Sequence, residues 1–359
     1  MSNTSRNFRS YSKKSLFLLS SCLLLFTTFA SAQSSAIDST NTIFKSFQRS
    51  GILQLSLTTD TKKLIKDKYK EEWQPLQLSL QDTASIPITY NIKIRTRGNI
   101  RKRVCYYPPL KLKFKKEWLA ENGMDSIAND LKLVIGCKQG KTYSKLVLKE
   151  YLAYQLYEAL TGFSFKTQLA EIEIIDVNED KKPIKSIAFL IENQEEMATR
   201  LNGRCTKPRV MRTKSVDKKQ LALLTLFNYM IGNTDWAAAN SHNIRFIVTR
   251  DQPKAIPIAY DFDYAGLVNA SYAVHRESIG IDDITQRHFL GRCGDVNYYE
   301  AVRPIFLEKK EQFYNIVQSF DLLSRGDKKI IERYLDEFYT LLENPKVFKK
   351  QVLGACIPK

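Results

Sequence analysis

The chain has 359 residues, with 55 Lys and Arg against 38 Asp and Glu, so its formal net charge is +17. These charges are spread along the chain, and no internal repeat or low-complexity tract is present, which excludes repeat proteins and chains with a charged tail. A basic balance of this size favours anionic partners such as nucleotides or phosphoproteins, although an ordinary solvated basic surface explains it equally well.

The N-terminus has the three parts of a secretory signal peptide. Basic residues at positions 6, 9, 13 and 14 precede an apolar stretch over 15–30, and Ala30-Ser31-Ala32 supplies the small residues of a cleavage site. We predict a signal peptide over 1–32 and a mature chain over 33–359. The mature net charge is about +13, because the signal segment holds four basic residues and no acidic one.

This reading predicts export to the periplasm or the extracellular space. Two alternatives remain open: a signal anchor that stays uncleaved, and a form lipidated at Cys22, which follows Leu19-Ser20-Ser21. No later stretch is long and apolar enough to span a bilayer. Export permits disulfides, and five cysteines remain after cleavage, so at least one is unpaired and the connectivity is not readable. They are Cys105, Cys137, Cys205, Cys293 and Cys356.

The remaining elements follow from hydrophobic periodicity. Residues 33–48 read as a loose polar arm, and 59–70 as a short helix or a hairpin connection. Predicted strands lie at 52–57, 76–80, 86–97, 110–114, 131–135, 170–177 and 184–191, with a helix at 144–160. Helices at 195–201 and 218–231, strands at 243–248 and 255–260, and amphipathic helix over 298–356 follow. We therefore predict an α+β fold in two lobes: a β-rich lobe over 33–193 with one helix, and a mostly helical lobe over 194–359.

The chemistry concentrates in the second half of the chain. An apolar helix ends in the turn Gly232-Asn233-Thr234-Asp235, and Asn243 begins the next strand. A further strand then delivers Asp261 and Asp263 at its end. Phosphoryl transfer needs one carboxylate to accept the proton of the attacking hydroxyl, and another carboxylate with an amide oxygen to hold Mg²⁺. Turn-forming Asn and Asp residues at strand ends are the alternative explanation of each residue taken singly.

These motifs resemble the catalytic and metal-binding segments of the CotH kinase family, and more distantly those of HipA-type and secreted casein-kinase-type enzymes. The resemblance implies a protein-kinase-like fold, ATP, and Mg²⁺ or Mn²⁺. It also implies that Asp235 is the catalytic base, that Asp261 and Asp263 lie at the metal, and that Asn243 is the amide ligand. Asn240 is the rival to Asn243, because Asp235 to Asn240 has the spacing of ordinary kinases.

The first half of the chain adds further matches to the same family. Arg97-Gly98-Asn99 resembles its R-G-N-S-S turn, which presents backbone N–H groups and an arginine fork to phosphate. The family's two serines are replaced here by Ile100 and Arg101, which puts a side-chain phosphate contact from this turn in doubt. Lys111 and Lys113 share one strand face, and the resemblance implies that one of them pairs with the nucleotide phosphates.

Two glutamates complete the predicted nucleotide site. Glu150 lies in a helix that resembles the family's L-R-N-x-L-A-Y segment, which implies that it pairs with the nucleotide lysine. Residues 184–192 resemble the family's G-V-Y-L-L-x-E strand, which implies that Glu192 lies in a hinge whose backbone contacts adenine.

The sequence thus predicts an exported ATP- and metal-dependent phosphotransferase that acts on Ser or Thr of a protein substrate, with no nucleic-acid partner and an oligomeric state that is not readable. Two other functions remain open. One is a catalytically inactive kinase-like binding protein of the envelope. The other is an unrelated secreted hydrolase or glycan-binding protein, although no G-x-S-x-G or HExxH motif is present.

Overall fold

A computed structural model describes residues 41–81, 87–178, 182–206 and 212–358. The predicted signal peptide lies outside the described residues. The strands are β1 Leu53–Thr59, β2 Gln74–Gln81, β3 Ile88–Thr96, β4 Leu110–Lys113, β5 Asp130–Ile135, β6 Thr167–Asp176, β7 Ile184–Ile191, β8 Gly203–Thr206, β9 Ile244–Thr249 and β10 Ile256–Ala259. The helices are α1 Ile43–Phe47, α2 Thr61–Lys66, α3 Ile100–Val104, α4 Lys116–Glu121, α5 Lys141–Leu160, α6 Gln194–Arg200, α7 Lys218–Met230, α8 Val296–Gln318, α9 Arg325–Glu343 and α10 Pro345–Val347.

Seven strands close into a barrel in the order β1-β2-β3-β4-β5-β7-β6. The ring closes where β1 runs parallel to β6, with Leu53 opposite Ala170 and Thr59 opposite Asp176, whereas the other neighbours are antiparallel. Alternate residues point inward, as the period of two requires, so that β1 buries Leu53, Leu55 and Leu57. Each such leucine contributes roughly 1.5–3 kcal/mol through removal from water. The barrel interior is therefore a packed core.

The prediction of a two-lobed protein-kinase-like fold is wrong, because the N-terminal sheet is a closed mixed barrel. Hydrophobic alternation predicted most of the individual strands, but it carries no information about which distant strand closes the ring. The described residues together form one compact unit. The border predicted between 193 and 194 falls where α6 begins after its N-cap, Asn193, and it stays a prediction.

The second half of the chain has its own core. A three-stranded antiparallel sheet in the order β10-β9-β8 lies beside α7, which is buried from Leu221 to Met230. Helix α5 packs against β6 and β7 of the barrel and also against α8. Aromatic rings fill the space between α5 and the β10 loop, since the Tyr154 and Phe262 centroids lie 4.8 Å apart. This packing fixes the loop that follows β10.

Three further features refine the predicted layout. The predicted loose arm contains α1, which buries Phe44 and Phe47 against the barrel, so that part of the prediction is wrong. Two disulfides, Cys105–Cys137 and Cys293–Cys356, supply the connectivity that the sequence left open. Cys205 takes part in neither disulfide, and its thiol donates a hydrogen bond to the carbonyl oxygen of Gln194.

Candidate active site

A cleft of about 620 Å³ lies between the barrel and the loops of the second half of the chain. On the barrel side it is lined by residues 97–101 and by Lys132 of β5. On the other side it is lined by Asp235 and by residues from 240–245 and 260–264. Five of the predicted site residues meet here: Arg97, Asp235, Asn243, Asp261 and Asp263.

Asp235 is presented by a rigid turn. Helix α7 ends at Met230, and Gly232 takes a left-handed conformation (φ +66°) that turns the chain. Asn233 then accepts the Asp235 backbone N–H at 3.0 Å and donates its own amide to buried Asn228 at 2.9 Å. The turn is therefore held from below by two amide side chains, and Asp235 reaches the cleft.

A tyrosine from the C-terminal helices fixes the same turn from another side. The Gly266 N–H donates to the Gly232 carbonyl at 3.0 Å, so the two glycines join the loop of Asp235 to the loop of Asp263. A Cβ at either glycine would collide with the hydroxyl of Tyr334 in α9. Both positions therefore require glycine while Tyr334 keeps its place.

Both oxygens of the Asp235 carboxylate are engaged. Oδ1 lies 2.8 Å from Nε2 of His242, and Oδ2 accepts a hydrogen bond from the Asn243 amide at 3.0 Å. The same amide nitrogen donates to the Asp235 carbonyl at 2.7 Å. Asn243 is left-handed (φ +51°), a conformation that Asn adopts more readily than most residues. This arrangement orients one carboxylate towards the cleft.

Asp261 and Asp263 both face the cleft, although they are two residues apart. Strand β10 has ended at Ala259, and Asp261 is left-handed (φ +66°), so the alternation of a strand no longer applies. The Asp261 N–H donates to the Tyr154 hydroxyl at 2.9 Å, and Asp263 accepts from the Tyr272 hydroxyl at 3.2 Å. Burial, together with the Asp261 carboxylate, raises the pKa of Asp263 to about 7.

Beneath these two aspartates lies a buried ion pair. Arg101 of α3 lies 3.8 Å from the Glu150 carboxylate of α5 and donates to the Ile135 carbonyl. Burial, followed by the charge of Asp263, raises the pKa of Glu150 well above its usual range. Among the described residues, Oε1 of Glu150 has no hydrogen-bond partner. Glu150 lies behind the lining of the cleft and, like Asp263, holds its proton more readily than a free carboxyl group does, so a cation bound nearby would favour the ionised form of both.

Basic side chains line both walls of the cleft: Arg97 and Lys132 on the barrel wall, and Arg245 of β9 on the opposite wall. The ammonium of Lys132 lies 4.8 Å from the Tyr260 ring centroid, and the guanidinium of Arg245 lies 4.4 Å from the same centroid. Burial, then repulsion from Arg97 and Arg245, lowers the pKa of Lys132 to about 7. An anion bound here would restore the charge of Lys132, because a nearby negative group raises the pKa of an amine.

Three side chains of the cleft, Lys132, Arg245 and His242, are not identifiable as site residues from sequence motifs. A signal was present for Lys132, since its strand alternates and places it outward beside Lys111. Arg245 lies between two buried residues of β9, so the pattern of that strand also places it outward. Its approach to Tyr260, however, depends on tertiary packing. His242 gave no signal, because its contact with Asp235 depends on the turn between them.

Four other predicted site residues do not line the cleft. Lys111 pairs with Asp130 at 2.9 Å, and Lys113 lies over the Trp73 ring in a separate groove. Buried Glu192 pairs with Arg200 at 2.7 Å. Glu150 pairs with Arg101, as described above. Asn240 does line the cleft, and its side chain accepts the His242 N–H at 3.2 Å.

The chemistry of the donor set suits a magnesium ion shared with phosphate. No group of three or more His, Cys, Asp or Glu side chains is gathered for a metal ion within the described part of the chain. Mg²⁺, however, is commonly held by one or two carboxylates together with substrate phosphates and water. Asp261, Asp263 and the amide oxygen of Asn243 match that smaller requirement.

Comparison of the sequence with protein-family models and with curated proteins found no match. The resemblance to the CotH family therefore depends on the short motifs alone. In the described ranges, no helix has both the length and the apolar composition needed to cross a bilayer.

Proposed function

We propose that the chain is an exported phosphotransferase that uses ATP and Mg²⁺ or Mn²⁺ to phosphorylate Ser or Thr hydroxyl groups of proteins. The observation that carries the proposal is the division of one cleft into an acidic side with an oriented Asp235 and a basic side with Arg97 and Lys132. Phosphoryl transfer depends mainly on positioning and on electrostatic stabilisation, which such a cleft supplies. The ordered motifs shared with the CotH family support the same conclusion.

Each side chain has a role in this proposal. Asp235 accepts the proton of the attacking hydroxyl, while His242 and Asn243 hold its carboxylate in one orientation. Asp261, Asp263 and Asn243 hold the divalent cation, which supplies charge neutralisation at the phosphates. Arg97 and Lys132 bind phosphate oxygens from the barrel wall, and Arg245 of β9 binds them from the wall that carries the aspartates.

The barrel does not argue against this chemistry, because unrelated folds host the same reaction when the site geometry is the same. The two disulfides support the exported location, since such bonds persist mainly in oxidising compartments. The proposal therefore combines a cleft chemistry with an extracytoplasmic setting.

The test is transfer of labelled phosphate from ATP by the purified protein in the presence of Mg²⁺ or Mn²⁺. We expect autophosphorylation or labelling of an added protein. We expect Asp235→Asn to lower the rate of this labelling by a factor of roughly 10²–10⁴. Asp251→Asn serves as the matched control, because Asp251 is exposed and lies outside the cleft. Equal labelling by the wild type and Asp235→Asn contradicts the proposal.

A second measurement separates the alternatives. Thermal protection by Mg-ATP that requires Asp261, without any transfer of label, would favour the inactive binding protein. The absence of both protection and transfer would favour an unrelated hydrolase or glycan-binding protein.

A further inference from the structure

Three adjacent barrel strands carry a row of cations on their outer face. In β3, residues 91, 93 and 95 point outward, while Ile92 and Ile94 fill the core. Register places Lys93 opposite Lys113, Arg95 opposite Lys111, and Lys111 opposite Lys132. We call this set the cation ladder; its members are Lys93, Arg95, Arg97, Lys111, Lys113 and Lys132.

The ladder is continuous with the cleft. Arg97 follows β3 and extends its pairing through a 2.8 Å hydrogen bond from its N–H to the Pro109 carbonyl. Arg97 and Lys132 line the cleft, whereas Lys93 and Lys113 line a separate groove of about 750 Å³. Arg95 and Lys111 lie between the two. The outer face of the barrel thus joins the candidate active site to a second concave surface.

Two acidic side chains beside the ladder, Asp130 and Glu71, are held in ion pairs. Asp130 pairs with Lys111 at 2.9 Å, and Glu71 pairs with Arg95 at 3.2 Å and with Lys102. Glu117 also lines the groove, together with Lys115 and Lys116. The positive charge of the ladder and groove therefore exceeds the negative charge around them, which leaves it available to an anionic ligand.

An aromatic side chain fixes the far end of the ladder. The Arg95 guanidinium lies 4.8 Å from the Trp73 ring centroid, and the Lys113 ammonium lies 5.3 Å from the same ring. Such cation–π contacts hold the cations and the partly buried ring in a defined arrangement. Arg95 and Lys113 are therefore more restrained than surface side chains without such contacts.

We infer that the cation ladder binds an acidic, extended segment of the protein substrate and leads its hydroxyl acceptor into the cleft. Side chains on one face of an extended chain repeat every ~6.6 Å, which is the repeat of the cations along β3. Carboxylates at alternate positions of a substrate strand therefore match Lys93 and Arg95 in spacing and in charge, and the strand continues past them towards Arg97 and the cleft. Arg97 and Lys93 are four residues apart, so about four extended residues separate the acceptor from the outermost acidic contact.

The acceptor part of this inference rests on the proposed function, whereas the binding part does not. Binding is measured first, without ATP, using a fluorescent peptide that carries one serine and glutamates at alternate positions within about the next four residues. A second peptide has glutamine in place of each glutamate. We expect the first peptide to bind at least ten times more tightly than the second, and salt to weaken that binding.

The variant pair decides whether the ladder is the site. Lys93→Glu/Lys113→Glu reverses two ladder charges, and Lys62→Glu/Lys66→Glu reverses two exposed lysines of α2, so both variants change the net charge equally. We expect the ladder variant to weaken binding of the acidic peptide at least tenfold and the α2 variant to leave it within twofold. Equal weakening by both variants overturns the inference in favour of diffuse surface charge.

Two further outcomes keep the inference and the proposed function distinguishable. If a sulfated glycan binds more tightly than the acidic peptide and is equally sensitive to the ladder variant, the surface is a glycan site and the inference fails. If the peptide binds as expected but the wild type transfers no phosphate, the docking surface stands and the phosphotransferase proposal fails. Where transfer occurs, the ladder variant is expected to raise KM for the acidic peptide at least tenfold, with a smaller effect on the glutamine peptide.

Discussion

The two walls of the cleft present their charges in different ways. On the barrel wall, the alternation and register of regular strands place Lys132. A backbone hydrogen bond to Pro109, just beyond the end of β3, places Arg97. On the opposite wall, Asp235, Asp261 and Asp263 project from turns held by side-chain hydrogen bonds and left-handed residues. A side chain on a strand is positioned by many backbone hydrogen bonds between strands, whereas a side chain on a turn is positioned by a few local contacts. We therefore expect the barrel wall to tolerate substitution better than the loop wall.

Arg101 connects the two walls, so its loss is expected to have the largest effect. Replacing Arg101 with Met leaves Glu150 without its ion-pair partner beside Asp263, and we expect the free energy of unfolding to fall by about 3 kcal/mol. Urea unfolding followed by circular dichroism measures this. The double variant Arg101→Met/Glu150→Met is expected to recover most of the loss, because neither charge is then buried alone. An additive double variant would contradict the coupling.

The substitution Asp261→Asn removes one negative charge from the loop wall of the cleft and leaves the shape of the side chain nearly unchanged. Asparagine keeps the shape of the side chain and tolerates the left-handed backbone, so we expect the melting temperature not to fall. Loss of the carboxylate is expected to lower the rate of phosphate transfer by roughly 10²–10³. A rate within threefold of the wild type would remove Asp261 from the proposed metal site. Asp251→Asn again provides the matched control.

Lys132→Met tests the barrel wall, and a smaller effect is expected there. Methionine is apolar, and because the Lys132 ammonium is desolvated and close to Arg97, its removal is expected not to destabilise the protein. We expect KM for ATP to rise by about tenfold, which corresponds to one lost charge-assisted contact. Lys66→Met, at an exposed position of α2, is the control. An unchanged KM would show that Lys132 does not contact the nucleotide.

Asp263 gives the smallest expected effect, in the pH dependence of stability. Its pKa is about 7 in the folded protein against about 3.8 unfolded, so the folded state holds a proton that the unfolded state has released. The stability that this proton provides is fully present below pH 3.8 and is lost as the pH rises through 7.

Between pH 5 and pH 7.5 we expect the melting temperature of the wild type to fall by about 2 °C or more relative to Asp263→Asn. Parallel melting curves for the two proteins across this range would contradict the raised pKa. Added Mg²⁺ is expected to reduce the difference, because a bound cation favours the ionised carboxylate.

Much of the secondary structure was predictable from the sequence, and most of the strand arrangement was not. Alternation of leucine with polar residues identified β1 and β4, and the apolar run at 218–231 identified α7. The parallel pairing of β1 with β6 depends on tertiary packing, so the closed barrel replaced the expected open two-lobed arrangement. The sequence predicts a loose arm where the short α1 lies, since a five-residue helix is too short to show a full amphipathic period.

Some residues of the candidate site were likewise predictable from the sequence, and others were not. Asp235, Asn243, Asp261 and Asp263 were predictable because Asn and Asp next to strand and helix ends form a recognisable order of turns. The resemblance implies a nucleotide lysine on β4, whereas the barrel lysine that lines the cleft is Lys132 on the neighbouring strand. Which strand faces the cleft follows from the curvature of the barrel, and periodicity does not encode it.

The contact of Tyr334 with Gly232 and Gly266 has a consequence for how the cleft keeps its shape. The spacing between the loop of Asp235 and the loop of Asp263 is set by a helix that shares no motif with either of them. Shortening the Tyr334 side chain to alanine opens room for the two loops to slide apart. Inactivating substitutions are therefore expected to appear in the C-terminal helices, far along the chain from any acidic group of the site.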